Sequence, residues 1–237
     1  MVFPNRVPES EDSESHWISV SDLMSVLMMV FLFIAISYML NVVKEKDKIK
    51  QIAVAYTQLQ DDLYRDLQAE FKEDLPVWNA TIDKATLSIK FEAPEVLFGV
   101  GSARLRNKFR TILADFFPRY VKVLSSKKYV NDIEEIRIEG HTSSGWKSNN
   151  YPQEGYIGNM KLSQDRTREV LAFVLLLDEV KENRQWIKGK LTANGLSSSR
   201  MMLNDDGSED KLRSRRVEFR VRTNAEKRIV DILTTTP

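Results

Sequence analysis

The chain has 237 residues, room for one or two domains, and its 35 basic and 34 acidic residues leave a formal net charge of +1. A balance so close to neutral gives no electrostatic footprint for nucleic acid, so no direct nucleic-acid binding is expected. Cysteine is absent, which is compatible with an oxidising or a reducing compartment. The mean hydropathy of −0.35 and the 29% charged residues suggest a soluble protein, but most of the apolar excess sits between Ile18 and Val43.

Residues 1–17 are polar and acidic (Glu9, Glu11, Asp12, Glu14) and are expected to form a short N-terminal tail. Residues 18–43 read as a membrane-spanning helix. No charged residue occurs from Leu23 to Val43, and a hydrocarbon core of about 30 Å needs roughly 20 residues of helix. A cleaved signal peptide would want a basic start and an A-x-A-like site, and neither is present. Arg6 precedes the span while Lys44, Lys46, Lys48 and Lys50 follow it. On charge alone, that bias would hold the C-terminal part in the cytoplasm.

Residues 44–75 read as a helical linker. Ile49, Ile52, Tyr56, Leu59, Leu63, Leu67 and Phe71 recur at spacings of three and four. That stripe suits a short coiled coil with a second copy, or a helix packed on a neighbouring domain. Pro76 is expected to end it.

Residues 76–226 read as one α/β domain of order βαβαββ. The strand "ATLSIKFEAP" alternates Leu87, Ile89 and Phe91 with polar residues, and a helix follows with Ser102 as N-cap and Pro118 as kink or break. "IEEIRIEG" is a second strand, closed by Gly140, and a polar loop runs to about Met160. The helix "LSQDRTREVLAFVLLLDEV" takes Ser163 as N-cap, and "KGKLTANG" and "RRVEFRVR" supply two further strands. Residues 227–237 are left as a C-terminal tail.

The chemistry begins at Asp22, the one acid at the mouth of the apolar run. It could be an N-cap or first-turn acid favoured by the helix dipole. Alternatively, it binds and releases a cation. An acid in the span costs on the order of 3 kcal/mol at mid-bilayer, so such groups face a partner or a water path. Ser25, at i+3, could share the face of the carboxylate. One helix makes no pore, so this reading requires other membrane helices.

"SDLMSVLMMVFLFI" resembles the membrane segment of MotB-type stator subunits, and more closely that of the ZorB subunits of Zorya anti-phage defence systems. The resemblance covers about twenty residues. It implies a membrane complex with a ZorA-type multi-pass subunit, driven by protons or sodium ions passing Asp22 and Ser25. In the C-terminal half, "IRIEGHTSS", "NMKLSQDR" and "RRVEFRV" resemble the OmpA-like peptidoglycan-binding domain, whose motifs run G-H-T-D, N-x-x-L-S-x-x-R and R-R-V-E. That resemblance implies a peptidoglycan site at Thr142, Ser143, Asn159, Leu162 and Arg166. Arg166, expected beside a helix N-terminus, would hold a carboxylate of the diaminopimelate in the peptide stem.

Two departures stand out. Ser143 replaces the family's acid, removing the counter-charge for the ligand's ammonium, and the loop from Gly145 to Gly158 is long and carries Trp146, Tyr151 and Tyr156. His141 has no His or Cys nearby and is expected to be structural rather than a metal ligand. The basic run "KLRSRR" is explained by strand alternation and the family motif.

The expectation is therefore an α+β protein: a single N-terminal transmembrane helix, a helical linker and an OmpA-like βαβαββ sandwich domain. It would be no enzyme, need no cofactor or metal, pair as a homodimer and sit in the bacterial inner membrane. Its N-terminus would be cytoplasmic and its C-terminal domain periplasmic, because peptidoglycan lies outside. A flagellar-type MotB stator and a passive OmpA-like wall anchor remain as alternatives.

Overall fold

The computed structural model describes residues 11–92, 94–145 and 152–224. It divides into two compact units, Met1–Ala53 and Val54–Pro237. The described part of the first unit is helix α1, which runs Glu11–Phe71 and so continues into the second. The helix starts at Glu11, so residues 11–17, expected as tail, are helical. From Val20 to Val43 every large apolar side chain is exposed, Phe33 by 74% and Met28 by 75%. At 1.5 Å per residue this stretch is about 36 Å long, and the helix is long and apolar enough to cross a membrane.

In the second unit the stripe on α1 changes role. Leu63, Leu67 and Phe71 are fully buried in the chain's own core, with Leu59 half-buried against it. The neighbouring-domain alternative therefore holds for the C-terminal half of the stripe, and those side chains are not available to a second copy. Helix α2 (Asp74–Trp78) follows and carries Pro76 inside it rather than at a helix end. In a helix's first turn the missing N–H costs nothing.

Five strands form one sheet in the order β1-β2-β5-β3-β4: β1 Ala80–Asp83, β2 Ser88–Phe91, β3 Ile133–Gly140, β4 Leu191–Gly195 and β5 Val217–Thr223. Only β3 and β4 pair in parallel. β1 was not expected from the sequence. Leu87, placed in the first strand by alternation, instead turns the β1–β2 hairpin at φ 47° with its side chain buried.

Helix α3 (Pro94–Leu97) is one turn, and α4 (Asn107–Leu124) starts later than expected. Ser102 does not cap it; its Oγ accepts from the Arg104 N–H in the preceding turn. α4 continues past Pro118 without a break. A mid-helix proline costs about 3 kcal/mol, but Phe117, Tyr120, Val121 and Leu124 on the same helix are all fully buried. Each contributes roughly 1.5–3 kcal/mol, so packing outweighs the lost bond. At the centre Phe116 meets Phe71, Phe91, Phe219 and Tyr120 at ring distances of 5.0–5.2 Å.

Helix α5 spans Pro152–Leu175, taking in half of the segment expected as loop. Ser163 is therefore mid-helix and no N-cap. α6 (Arg184–Lys190) leads into β4, and α7 (Lys211–Ser214) precedes β5. Two glycines let α5 lie directly on the sheet. A Cβ at Gly140 would meet the Ser163 carbonyl oxygen at 2.9 Å, and one at Gly195 the Gln164 backbone nitrogen at 2.3 Å.

Candidate functional site

The first candidate residue, Asp22, lies three turns inside α1 and is exposed. A residue so far from the helix start neither caps it nor belongs to its first turn. Ser25 sits one turn on, but its Oγ–H donates to the Ser21 carbonyl at 2.8 Å, a backbone bond within the helix.

The second candidate site is built where the end of β3, α5 and the approach to β5 converge. His141 N–H donates to the Arg216 carbonyl at 3.0 Å, Thr142 N–H to the Ser197 carbonyl at 2.9 Å, and Leu196 N–H to the Gly140 carbonyl at 2.9 Å. Ser197 is fully buried at φ 52°; its N–H donates to Ser163 Oγ at 3.1 Å, and its own Oγ–H donates to the Tyr156 carbonyl at 2.8 Å. A left-handed serine costs on the order of 1 kcal/mol or more; these bonds hold it there and tie α5 to the loop after β3.

Of the predicted residues, Ser143 and Asn159 are brought together: Asn159 Nδ2 donates to the Ser143 carbonyl at 3.1 Å and the Gly145 carbonyl at 3.5 Å. Both are buried, as is Thr142, whose hydroxyl has no hydrogen-bond partner among the described residues. Leu162 is half-buried on α5. Asn159 thus clamps the loop through its amide. Trp146 and Tyr151 lie outside the described residues, while Tyr156 is on α5 and exposed.

Arg166 is on α5 but not beside its N-terminus, so helix N–H groups do not join it in an anion site. Its Nε–H donates to the Ser102 carbonyl at 2.9 Å and Nη2–H to the Gly99 carbonyl at 3.3 Å, and the guanidinium lies 4.8 Å from the Phe98 ring centre. No carboxylate pairs with it among the described residues. Burial, with the nearby Arg215 charge, pulls its pKa down to about 10. Arg166, Arg215, His141 and Phe98 line a small cleft. A cation held by carbonyls and a ring, beside a second cation, is short of negative charge, and an anion in the cleft would be stabilised. Arg215 was not among the residues expected at the site, although it opens the motif "RRVEFRV".

Glu139, His141 and Glu218 bring three potential ligand atoms within 4.8 Å of one another, all buried. His141 Nε2 is 3.6 Å from a carboxylate oxygen of each acid. The acids are already neutralised: Arg216 Nε–H donates to Glu218 at 2.6 Å, and Arg200 and Arg137 lie 3.5 and 3.7 Å from Glu139. A divalent cation would enter a set of guanidiniums, so the cluster reads as a buried ion network and not a metal centre. Burial pushes the Glu139 carboxyl up, but His141, Arg200 and Arg220 hold it below the usual range. Burial keeps the His141 imidazole below its ordinary value against the pull of Glu139.

No family model matches the chain. It is 49% identical over 232 residues, covering 98% of each chain, to the Zorya protein ZorB of Escherichia coli (strain Crooks). The chain belongs to the ZorB family. Its fold is similar to the crystal structure of a MotB-like protein from Desulfovibrio vulgaris, with a TM-score of 0.50 and 22% identity over 70% of this chain and 96% of that one. A cell wall anchor of the type VI secretion system from Pseudomonas aeruginosa is also similar, at a TM-score of 0.46 and 22% identity, covering 66% of this chain and 96% of that one. The ZorB-family chain therefore combines a long apolar N-terminal helix with a C-terminal sheet unit of MotB-like fold.

Proposed function

We infer that this ZorB-family chain is the ion-carrying, wall-anchored subunit of a Zorya-type stator complex that acts in anti-phage defence. Asp22 takes up and releases a proton or sodium ion as helices of a ZorA-type partner move past it, and the Arg166 cleft holds peptidoglycan in the periplasm. Two copies pair, using the exposed Ile49 and its neighbours rather than the buried Leu63, Leu67 and Phe71. The reading involves no enzymatic step.

The observation that carries it is the position of Asp22: an acid three turns inside an exposed helix and at the mouth of its apolar run, where a capping role has no backbone N–H groups to serve. A passive anchor has no use for it. Asn keeps the shape of the side chain but cannot bind and release a proton. Asp22→Asn is therefore expected to leave protein levels unchanged and abolish phage protection in cells carrying the whole system. Asp22→Glu, which moves the charge by one methylene, should give partial protection or none. Full protection by the Asn variant at equal abundance would end the ion-carrying reading.

A further inference from the structure

The cleft reading leaves one side of its ligand unrecognised: the loop His141-Thr142-Ser143-Ser144-Gly145 carries no acid. The fold brings one from elsewhere. Glu209 lies 65 residues along the chain, yet its Oε1 accepts from the Ser144 N–H at 2.9 Å and its Oε2 from the Ser144 hydroxyl at 2.5 Å. The segment presenting it is pinned. Leu203 and Glu209 form a bridge, Asn204 N–H donates to the Ser208 carbonyl at 2.8 Å, and Gly207 takes the turn at φ 81°.

No lysine or arginine pairs with Glu209 among the described residues. An ionised carboxylate offers about four lone-pair sites, and Ser144 takes two, so its charge and half its acceptor capacity remain for another donor. Ser144 is three residues from His141 of the cleft, so their Cα atoms are at most about 11 Å apart. Among the described residues, the cleft that His141 lines holds two arginines paired with no acid, Arg166 and Arg215, and Glu209 on the loop beside it is paired with no cation. Such a set fits a zwitterion.

We propose that Glu209 is the ammonium-recognising carboxylate of the cell-wall site, standing in for an acid at position 143. The ligand is an amino-acid head with a free amine and a free carboxylate, as in a diaminopimelate stem. This rests on the peptidoglycan-binding reading of the Arg166 cleft. The rival role for Glu209 is a loop staple, which needs acceptor atoms but no charge.

Glu209→Gln separates the two, because its amide oxygen still accepts from Ser144 N–H while the charge is gone. The full-length chain in detergent is titrated with meso-diaminopimelate and with pimelate, which lacks the amines, and is pulled down on isolated sacculi. Glu209→Gln is expected to weaken diaminopimelate binding about tenfold or more, to leave pimelate binding unchanged and to reduce sacculus retention. Adding Ser143→Asp should restore part of the loss. Ser144→Ala, which removes a staple bond and keeps the charge, should retain diaminopimelate binding. Wild-type diaminopimelate affinity in Glu209→Gln, or equal losses in Glu209→Gln and Ser144→Ala, would overturn the proposal. Arg166→Ala tests the reading beneath it: unchanged binding to sacculi there would remove the cleft itself, whatever Glu209 does.

Discussion

Two lengths of the same helix contrast sharply. Along Val20–Val43 apolar side chains cover every face of α1 and all are exposed, whereas along Leu59–Phe71 they occupy a single stripe that is buried in the chain's own core. A stripe at spacings of four needs one packed surface, and the sheet unit supplies it. All-round apolarity cannot be satisfied by one surface and calls for an apolar solvent or a ring of partner helices. The first length is thus completed from outside the chain and the second from within.

The largest effect expected from this contrast is all-or-none. A reporter active only in the periplasm, fused at Pro237, should be fully active, and one fused ahead of the span, within residues 1–10, should be silent. The charge bias of the lysines after Val43 predicts the reverse. Reverse activity at both positions would withdraw the sheet unit from the cell wall.

Next in size is a matched pair of truncations. Phe116→Ala removes the ring at the centre of the aromatic cluster and should destabilise the sheet unit by about 3–5 kcal/mol. Phe33→Ala, in the exposed stretch, should leave that unit's stability within about 0.5 kcal/mol of the parent. Thermal unfolding of the full chain in detergent measures both. A smaller loss, about 1–3 kcal/mol, is expected for Gly195→Ala, because its Cβ would come 2.3 Å from the Gln164 backbone nitrogen and α5 would have to shift. The same shift disturbs the Ser163–Ser197 bond, so sacculus binding should fall with it.

The parts legible in the sequence were those governed by periodicity. The apolar run, the stripe on α1, the helix packed through Phe116 and the strands β3 and β5 all follow from which residues repeat on one face. What periodicity cannot report is where a helix starts. Ser102 and Ser163 have the chemistry of caps, yet tertiary partners claim them: Ser102 supports a turn, and Ser163 binds Ser197 from within α5. That misplacement also put Arg166 at a helix N-terminus it does not occupy. Asn159 and Ser143 were expected at one wall-binding site from the family motifs, and the fold brings the two into contact. Glu209 and Ser197 carried no local signal, because their roles come from contacts with residues 65 and 34 positions away in sequence. β1 was missed because its four residues are too short to show alternation, and Leu87 broke the pattern by turning left-handed.

The smallest expected effect probes how the buried end of α1 is fastened. Asp66 accepts from the Tyr129 hydroxyl at 2.5 Å and from Lys128 Nζ at 2.9 Å. The Tyr129 bond first, and then Lys128, hold the Asp66 carboxyl below its ordinary 3.8, while burial and Asp66 push Tyr129 up to about 12. A depressed carboxyl contributes stability that is present above 3.8 and is lost as pH falls through the lowered value. A raised phenol contributes stability that is present below its ordinary 10 and is lost as pH climbs toward 12. Asp66 is 44% exposed, so solvent screening limits the pair to about 1 kcal/mol. Asp66→Asn should therefore lower the melting temperature by about 2–4 °C at pH 7. The gap between parent and variant should stay flat from pH 5 to 9 and close below pH 3.8. Above pH 10 it should close again as Tyr129 ionises beside the parent's carboxylate. A gap that persists unchanged at pH 3 would mean that Asp66 holds the helix by shape alone, and that the fastening of α1 lies in Leu63, Leu67 and Phe71.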